Sequence, residues 1–272
     1  MERYKIGTIS KLLQIPVDTL RFYENAGLIT PKKDAANGYR YYDVTDIADL
    51  LEYQRLRKMG FSGKNAQTLV QGATLTDYVT DMEKREQELG EQILATRRLN
   101  EYQEDYLRRL KLIGKDLYRF RITTMPEFYY FISRSEHRFA PVSDVEPLME
   151  EWIQYAPFAE DFCRIKIEEI ETEERPLKYC YGMSIAKKWA VRLSVNTTAE
   201  HIHFVKEQMA VRVVVGMRDT IIERATLQEG LQYIQDHRFT PNGPVLGRVL
   251  ARVFTPEGDK VQYTELYFPI RE

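Results

Sequence analysis

The chain has 272 residues, 43% of them apolar, with 39 Lys and Arg against 41 Asp and Glu. That composition excludes a disordered or collagen-like chain and leaves enough length for two domains. Its formal net charge of -2 does not advertise nucleic-acid binding, although residues 1 to 70 lean basic and charges act locally, within about 10 Å in ordinary salt.

No stretch approaches the roughly 20 apolar residues of a membrane span, and the polar start MERYKIG lacks the apolar core of a signal peptide. A cytoplasmic location and no membrane partner are expected. Cys163 and Cys180 are too few for a disulfide framework and give no paired metal-ligand spacing, so both read as small buried apolar residues.

Ile6 to Leu13 places Ile9, Leu12 and Leu13 at helical spacing; Gln14-Ile15-Pro16 then interrupts it before a second helix starts at Val17. Helix, tight turn, helix is a DNA-binding arrangement. Pro16 stands where a Ser or Thr cap is usual, while Asp18 suits the positive helix end and Gly27 is placed to end the helix. Leu28-Ile29 reads as the start of a strand, and Asn37-Gly38 as a two-residue type I′ hairpin turn. Asp46 to Met59, closed by Gly60, reads as a helix, and Ser62 as the cap of another that buries Ala66, Leu69 and Val70.

No proline lies between Pro31 and Pro126, and Thr76 to Ile113 is rich in Glu, Gln, Arg, Lys and Leu, which predicts one long helix. Val79, Met82, Leu89, Ile93, Leu99, Tyr106, Leu110 and Ile113 follow a rough three-four spacing, broken by Glu86, Thr96, Asn100 and Gln103. A helix so long and polar needs a partner, and a second copy of the chain is the simplest.

After Gly114 the segments YRFRITTMPEFYYFISR, FCRIKIEEIE, KYCYGMSIA, WAVRLSV, AVRVVVG, VLGRVLARVF and VQYTELYFPI read as strands. Val145 to Tyr155 and Ile221 to Gln235 are the two helices expected among them. The order suggests two similar α+β halves packed face to face, with a ligand groove between them.

The segments IGTISKLL, TLRFYENAGLI, NGYRYYDVTDIADL and RLRKMGF resemble the MerR family of bacterial transcription regulators. The long helix resembles the antiparallel dimerisation coil of that family. The strand-rich remainder, closing on TELYFPI, resembles a GyrI-like effector domain. The resemblance implies a winged helix-turn-helix over residues 1–73, a dimerisation helix and linker over 74–116, and a two-halved α+β effector-binding domain over 117–272.

It further implies DNA contacts from Thr19, Arg21, Phe22, Tyr23, Lys32, Lys33, Arg40 and Tyr42. Arg21 and Tyr23 sit in the TLRFYE motif, and Arg40 in the wing motif GYRYY, where a guanidinium offers planar, permanent donors to phosphate. Tyr39 is assigned to packing of the wing. The partners implied are double-stranded promoter DNA, a second copy of the chain, RNA polymerase and a small effector. Activation would come from distorting a promoter with an overlong spacer.

For the effector, Tyr263, Glu265 and Tyr267 alternate onto one face of the last strand, with Thr264, Leu266 and Phe268 on the other. The acidic residue that faces the pocket in GyrI-like drug sensors maps to Glu265, which makes it the expected counter-ion of a lipophilic cationic or aromatic ligand. Tyr129, Trp152, Tyr181 and Trp189 are further candidates. His201 and His203 alternate on a possible strand face, but without a third ligand no metal site is assigned, and no cofactor or catalytic residue is expected. Three alternatives stay open: a regulator responsive to a cyclic dinucleotide, which would need clustered arginines; a GyrI-like hydrolase; and an architectural DNA binder without a ligand.

Overall fold

A computed structural model describes residues 3–34, 38–135, 138–139, 142–172, 177–218 and 222–272. The chain divides into two compact units, Met1–Leu99 and Asn100–Glu272. Among the described residues no helix is long and apolar enough to cross a membrane.

In the first unit, strand β1 (Tyr4–Lys5) leads into helices α1 (Ile6–Leu13) and α2 (Val17–Asn25). Pro16 makes no side-chain cap for α2, whereas Gly27, at φ 75°, ends it as expected, with Leu28 N–H donating back to Tyr23 O at 2.9 Å. Leu28 and Ile29 are buried but do not form a strand. The wing is β2 (Lys32–Lys33) paired with β3 (Arg40–Tyr42), and β1 adds to the far side of β3.

Lys33 pairs with Arg40 and Asp34 N–H donates to Tyr39 O at 2.9 Å, a register that does not centre a two-residue turn on Asn37-Gly38; Asn37 itself lies outside the described residues. Helix α3 (Val44–Lys58) starts with a capping box in which Asp43 accepts from Thr45 and Asp46 N–H and Asp46 accepts from Asp43 N–H. Asp46 also accepts from Thr30 N–H at 3.2 Å, tying the wing to this helix. Ser62 caps α4 (Gly63–Gly72) through Asn65 N–H.

The core of this unit joins Ile9 of α1, Leu20 of α2, Tyr42 of the wing, Leu50 and Leu56 of α3 and Leu69 of α4. Each such buried aliphatic side chain contributes about 1.5–3 kcal/mol. Helix α5 (Leu75–Asp116) is the long helix.

The second unit is built on one ten-stranded sheet. Its strands are β4 (Arg121–Met125), β5 (Phe128–Ser135), β6 (Arg138–Phe139), β7 (Ala159–Ile165), β8 (Cys180–Ala186), β9 (His203–Val205), β10 (Gln208–Arg218), β11 (Thr240–Pro241), β12 (Val245–Phe254) and β13 (Lys260–Arg271). The order is β4-β10-β13-β12-β7-β8-β5-β6. The two halves expected to pack face to face are therefore joined edge to edge, through the antiparallel pair β7 and β12.

Among the described residues four helices punctuate the sheet: α6 (Val142–Ile153), α7 (Ile167–Glu171), α8 (Lys187–Arg192) and α9 (Arg224–Asp236). WAVRLSV, expected as a strand, supplies much of α8. Trp189 and Ala190 are buried side by side while Val191 is exposed, which is a helical and not an alternating pattern.

Register assigns the side chains of the sheet to two faces. Val211, Val213, Leu266, Phe268 and Cys163 pack with Leu227 and Ile234 of α9, and on the same face Phe131, Ala159 and Ile185 pack with Trp152 of α6 and Trp189 of α8. Gly230 lets α9 approach, since a Cβ there would stand 2.5 Å from the Phe268 ring. The opposite face carries Tyr130, Phe162, Leu246 and Tyr267, and meets the C-terminal end of α5.

Candidate nucleic-acid interface and ligand groove

On α2, Leu20 is buried, Thr19 and Tyr23 are partly buried, and Asp18, Arg21 and Phe22 are exposed. The spacing i, i+3, i+4 makes the exposed three a single stripe. Arg21 donates to Asp18 at 3.4 Å. Tyr23 leans against Tyr53, ring centroids 5.1 Å apart, and burial with this neighbour raises its hydroxyl pKa. In the wing Lys32, Lys33 and Arg40 are exposed, and Arg40 donates to Glu24 of α2 at 2.5 Å, which fixes the guanidinium beside the stripe.

Tyr42, expected among the DNA contacts, is fully buried in the core, so its ring supports the wing from beneath. Tyr39, assigned to packing, is exposed, with the ammonium of Lys5 5.5 Å from its ring centre. Burial along this strand does not alternate but deepens from exposed Arg40 through Tyr41 to buried Tyr42, as the chain runs from the wing tip into the core. Between α1, α2 and the wing runs an open groove of about 630 Å³ lined by Lys5, Thr8, Lys11, Arg21, Tyr39 and Arg40, among others, and no acidic residue lines it among the described residues. Lys5, Thr8 and Lys11 went unnoticed in the sequence. Their signal was the i, i+3 spacing of Thr8 and Lys11 on the side of α1 opposite Ile9.

The last strand alternates as expected, but Glu265 is not open to a ligand. It is 2% exposed and bound by two arginines: Arg212 Nε donates to one oxygen at 2.6 Å and Arg248 Nε to the other at 2.6 Å. Burial alone would raise the Glu265 pKa, yet Arg248 and Arg212 outweigh it and hold the carboxyl below its ordinary value. Burial likewise opposes the charges on Arg212 and Arg248, and their carboxylate partners reverse that, raising both. The place an incoming cation would take beside Glu265 is thus filled by the protein's own guanidinium groups.

The aromatic candidates divide between faces. Tyr263 and Tyr267 share the Glu265 face. Burial, with Glu265 nearby, pushes the Tyr267 hydroxyl up to about 12. Tyr129, Trp152 and Tyr181 lie on the helix-covered side: Tyr129 meets Phe204 at a tilt, ring centres 4.8 Å apart, Trp152 meets Phe131 edge to face at 5.1 Å, and Tyr181 lies under Arg134 at 4.4 Å. They do not converge with Glu265. Arg252 pairs with Asp161 at 2.7 Å and Arg192 with Glu101 at 2.5 Å, so neither stands open beside Arg212 and Arg248 to receive an anion. His201 sits at φ 72° ahead of β9 while His203 lies in it, tilted against Tyr130, so the two do not share a strand face. Among the described residues no three His, Cys, Asp or Glu side chains are grouped to hold a metal ion.

A different constellation occupies the Glu265 face. A narrow cavity of about 30 Å³ is lined by Phe128, Phe162, Leu246 and Tyr267, with Glu160 and Arg248 also in its wall. It adjoins an open groove of about 720 Å³ that shares Glu160, Glu127 and Arg248 and adds Tyr102, Arg109, Phe158 and Trp189. Of the aromatic residues expected here, Tyr267 lines the cavity and Trp189 the groove.

Three α5 residues spaced by seven reach this face. Tyr102 donates to Glu160 at 2.9 Å, Arg109 donates to both Glu160 oxygens at 2.6 and 3.3 Å, and Asp116 accepts from Arg212 at 2.7 Å. Tyr106, between the first two, donates to Leu250 O at 2.7 Å. A line of alternating charge therefore runs from Asp116 through Arg212, Glu265, Arg248 and Glu160 to Arg109, beginning and ending on one helix.

Residues 4–73 match a family profile described as MerR HTH family regulatory protein. The HTH-type transcriptional regulator HmrR of Rhizobium leguminosarum bv. viciae is 42% identical over 65 residues, 24% of this chain and 50% of that protein. The regulator CueR of Vibrio cholerae serotype O1 is 40% identical over 57 residues, 21% of this chain and 41% of that protein. The chain spans about half the length, or less, of these curated relatives. The solved chain of EcmrR in its DNA complex aligns over 99% of this chain and 100% of its own, at 17% identity and a TM-score of 0.36.

Proposed function

From the premise that residues 4–73 form a MerR-type helix-turn-helix domain, we propose that this protein is a homodimeric, ligand-responsive transcription regulator. The observation that carries the reading is the groove between α1, α2 and the wing, where Lys5, Lys11, Arg21 and Arg40 stand together. Four permanent or near-permanent cations on one concave surface suit the phosphate backbone, and the exposed Arg21 and Phe22 stripe suits base edges or thymine methyl groups. Thr19 and Tyr23 buttress that stripe, and Lys32 and Lys33 add charge on the wing.

Residues 1–73 serve as the DNA-binding head in this reading, 74–116 as the dimerisation helix and 117–272 as a GyrI-like effector domain. Exposed Val79, Leu89, Ile93 and Leu99 on α5 support pairing with a second copy as an antiparallel coiled coil. The aromatic cavity and its charged groove support a small organic effector with an aromatic body. The effector would act on a promoter, with RNA polymerase, by favouring one arrangement of the dimer over another. The test is a mobility shift of the purified protein on DNA from upstream of its own gene. A discrete shift that survives excess unrelated DNA is expected; binding no tighter to upstream DNA than to unrelated DNA would sink the reading.

A further inference from the structure

Strand β7 turns Arg164 to the same side as Phe162, where it lies opposite Cys180 of β8 on one hand and Leu246 of β12 on the other. Arg109, Arg212 and Arg248, which reach that side too, each donate to a carboxylate. Arg164 meets no carboxylate among the described residues. Its side chain is half-buried, and its Nε is shut off from solvent without a hydrogen-bond acceptor.

Burial opposes the charge on Arg164, but the Tyr130 hydroxyl and the Cys180 thiol beside it hold its pKa above the ordinary value, so the group stays a cation. A phenol and a thiol lend lone pairs and no countercharge. The field of Arg164 extends to His203, whose pKa is lowered by burial, by Arg164 and by His201. A guanidinium taken partly out of water without an anion is costly, and an incoming anion completes it.

Arg164 lines an open groove of about 770 Å³ at the end of the sheet, together with Lys166, Ile167, Pro241 and Pro244, among others. Lys166 is exposed and pairs with no carboxylate among the described residues. Arg164 stands four positions from Glu160, about 13 Å of extended strand, which sets this groove apart from the one at Glu160.

We propose that Arg164, with Lys166 two residues on, anchors a second ligand site, which takes the carboxylate of a small organic acid with an apolar body. Such a site depends neither on DNA binding nor on the groove at Glu160.

The lining of the groove selects this class. With Nε shut away, a ligand meets the outer nitrogens of the guanidinium, a fork that matches the two oxygens of a carboxylate. A phosphate ester would bring a second negative charge into a lining that also holds Glu168 and Glu169, and like charges so placed disfavour the dianion. Ile167, Pro241 and Pro244 offer apolar walls to the body of the acid.

The experiment is a ligand-observed NMR titration of the full chain with cyclohexanecarboxylate, its neutral amide cyclohexanecarboxamide, and cyclohexyl phosphate. The wild type is expected to bind the carboxylate about tenfold more tightly than the amide and about threefold more tightly than the phosphate ester. Arg164→Gln is expected to weaken carboxylate binding about tenfold and to erase its advantage over the amide. Arg164→Lys, which keeps the charge without the fork, and Lys166→Ala are each expected to weaken it about threefold.

No binding of the carboxylate, equal affinity for carboxylate and amide, or tighter binding of the phosphate ester would each overturn the proposal. So would carboxylate binding undiminished by Arg164→Gln or by Lys166→Ala. Should thermal melts show Arg164→Gln to be unfolded, Arg164→Lys carries the test, and unchanged binding by that variant overturns the proposal equally.

Discussion

Glu265 is a buried carboxylate whose two oxygens each meet a guanidinium, so its contribution is a matter of pairing and not of ligand affinity. Glu265→Gln leaves Arg212 and the deeply buried Arg248 short of a negative charge, and removing one partner of such a pair costs about 3 kcal/mol. Denaturant titration of wild type and variant at neutral pH is expected to show that loss. Its pH dependence has a definite sign. The folded pKa lies below the ordinary 4.5, so the carboxylate's stabilisation is complete above that value and fades as pH falls through the folded pKa. The gap between wild type and variant is expected to narrow only below about pH 4.5; a gap that is unchanged at pH 3 would contradict the ion-pair account. The parity of the last strand was legible from alternation alone. The two arginines were not, because Arg212 and Arg248 stand 53 and 17 residues away and only the strand order β10-β13-β12 brings them alongside.

Helix α5 was the most legible element, since composition and the absence of proline mark it over many turns, whereas the six residues of α8 offered too short a window to separate a helical from an alternating pattern. The wing loop was misjudged for another reason: the Asn-Gly signal reports a tight turn somewhere, not which residues pair around it. What α5 does at its two ends was also hidden. Exposed Leu89, Ile93 and Leu94 at its middle give way, beyond Asn100, to a seam of Tyr102, Tyr106, Arg109 and Asp116 that binds the sheet. The apolar stripe read from sequence as one dimer surface, with Tyr106 in it, is therefore two surfaces in series. Ile93→Glu is expected to weaken self-association about tenfold or more in sedimentation, by burying a charge at the proposed seam, without altering the Asn100–Glu272 unit. An unchanged dimer would place the interface elsewhere.

For the molecule as a whole, a net charge of -2 is a poor guide to its partners, because Lys5, Lys11, Arg21 and Arg40 line one groove, even with Asp18 and Glu24 paired to the two arginines beside it. Operator affinity is expected to fall steeply with salt. Arg21→Ala and Arg40→Ala should each reduce the log–log slope by about 0.9 if each holds one phosphate. Tyr42→Phe should leave both slope and affinity unchanged, since its ring faces the core. A salt slope insensitive to either arginine would remove the groove from the DNA interface.

The spacing of Tyr102, Arg109 and Asp116 has a mechanical meaning. Fourteen residues of α-helix span about 21 Å, and with Tyr106 held by Leu250 O between the first two, four side chains fasten that length to the sheet. It is a beam riveted at several points, and the loss of any one rivet leaves the others to hold its course.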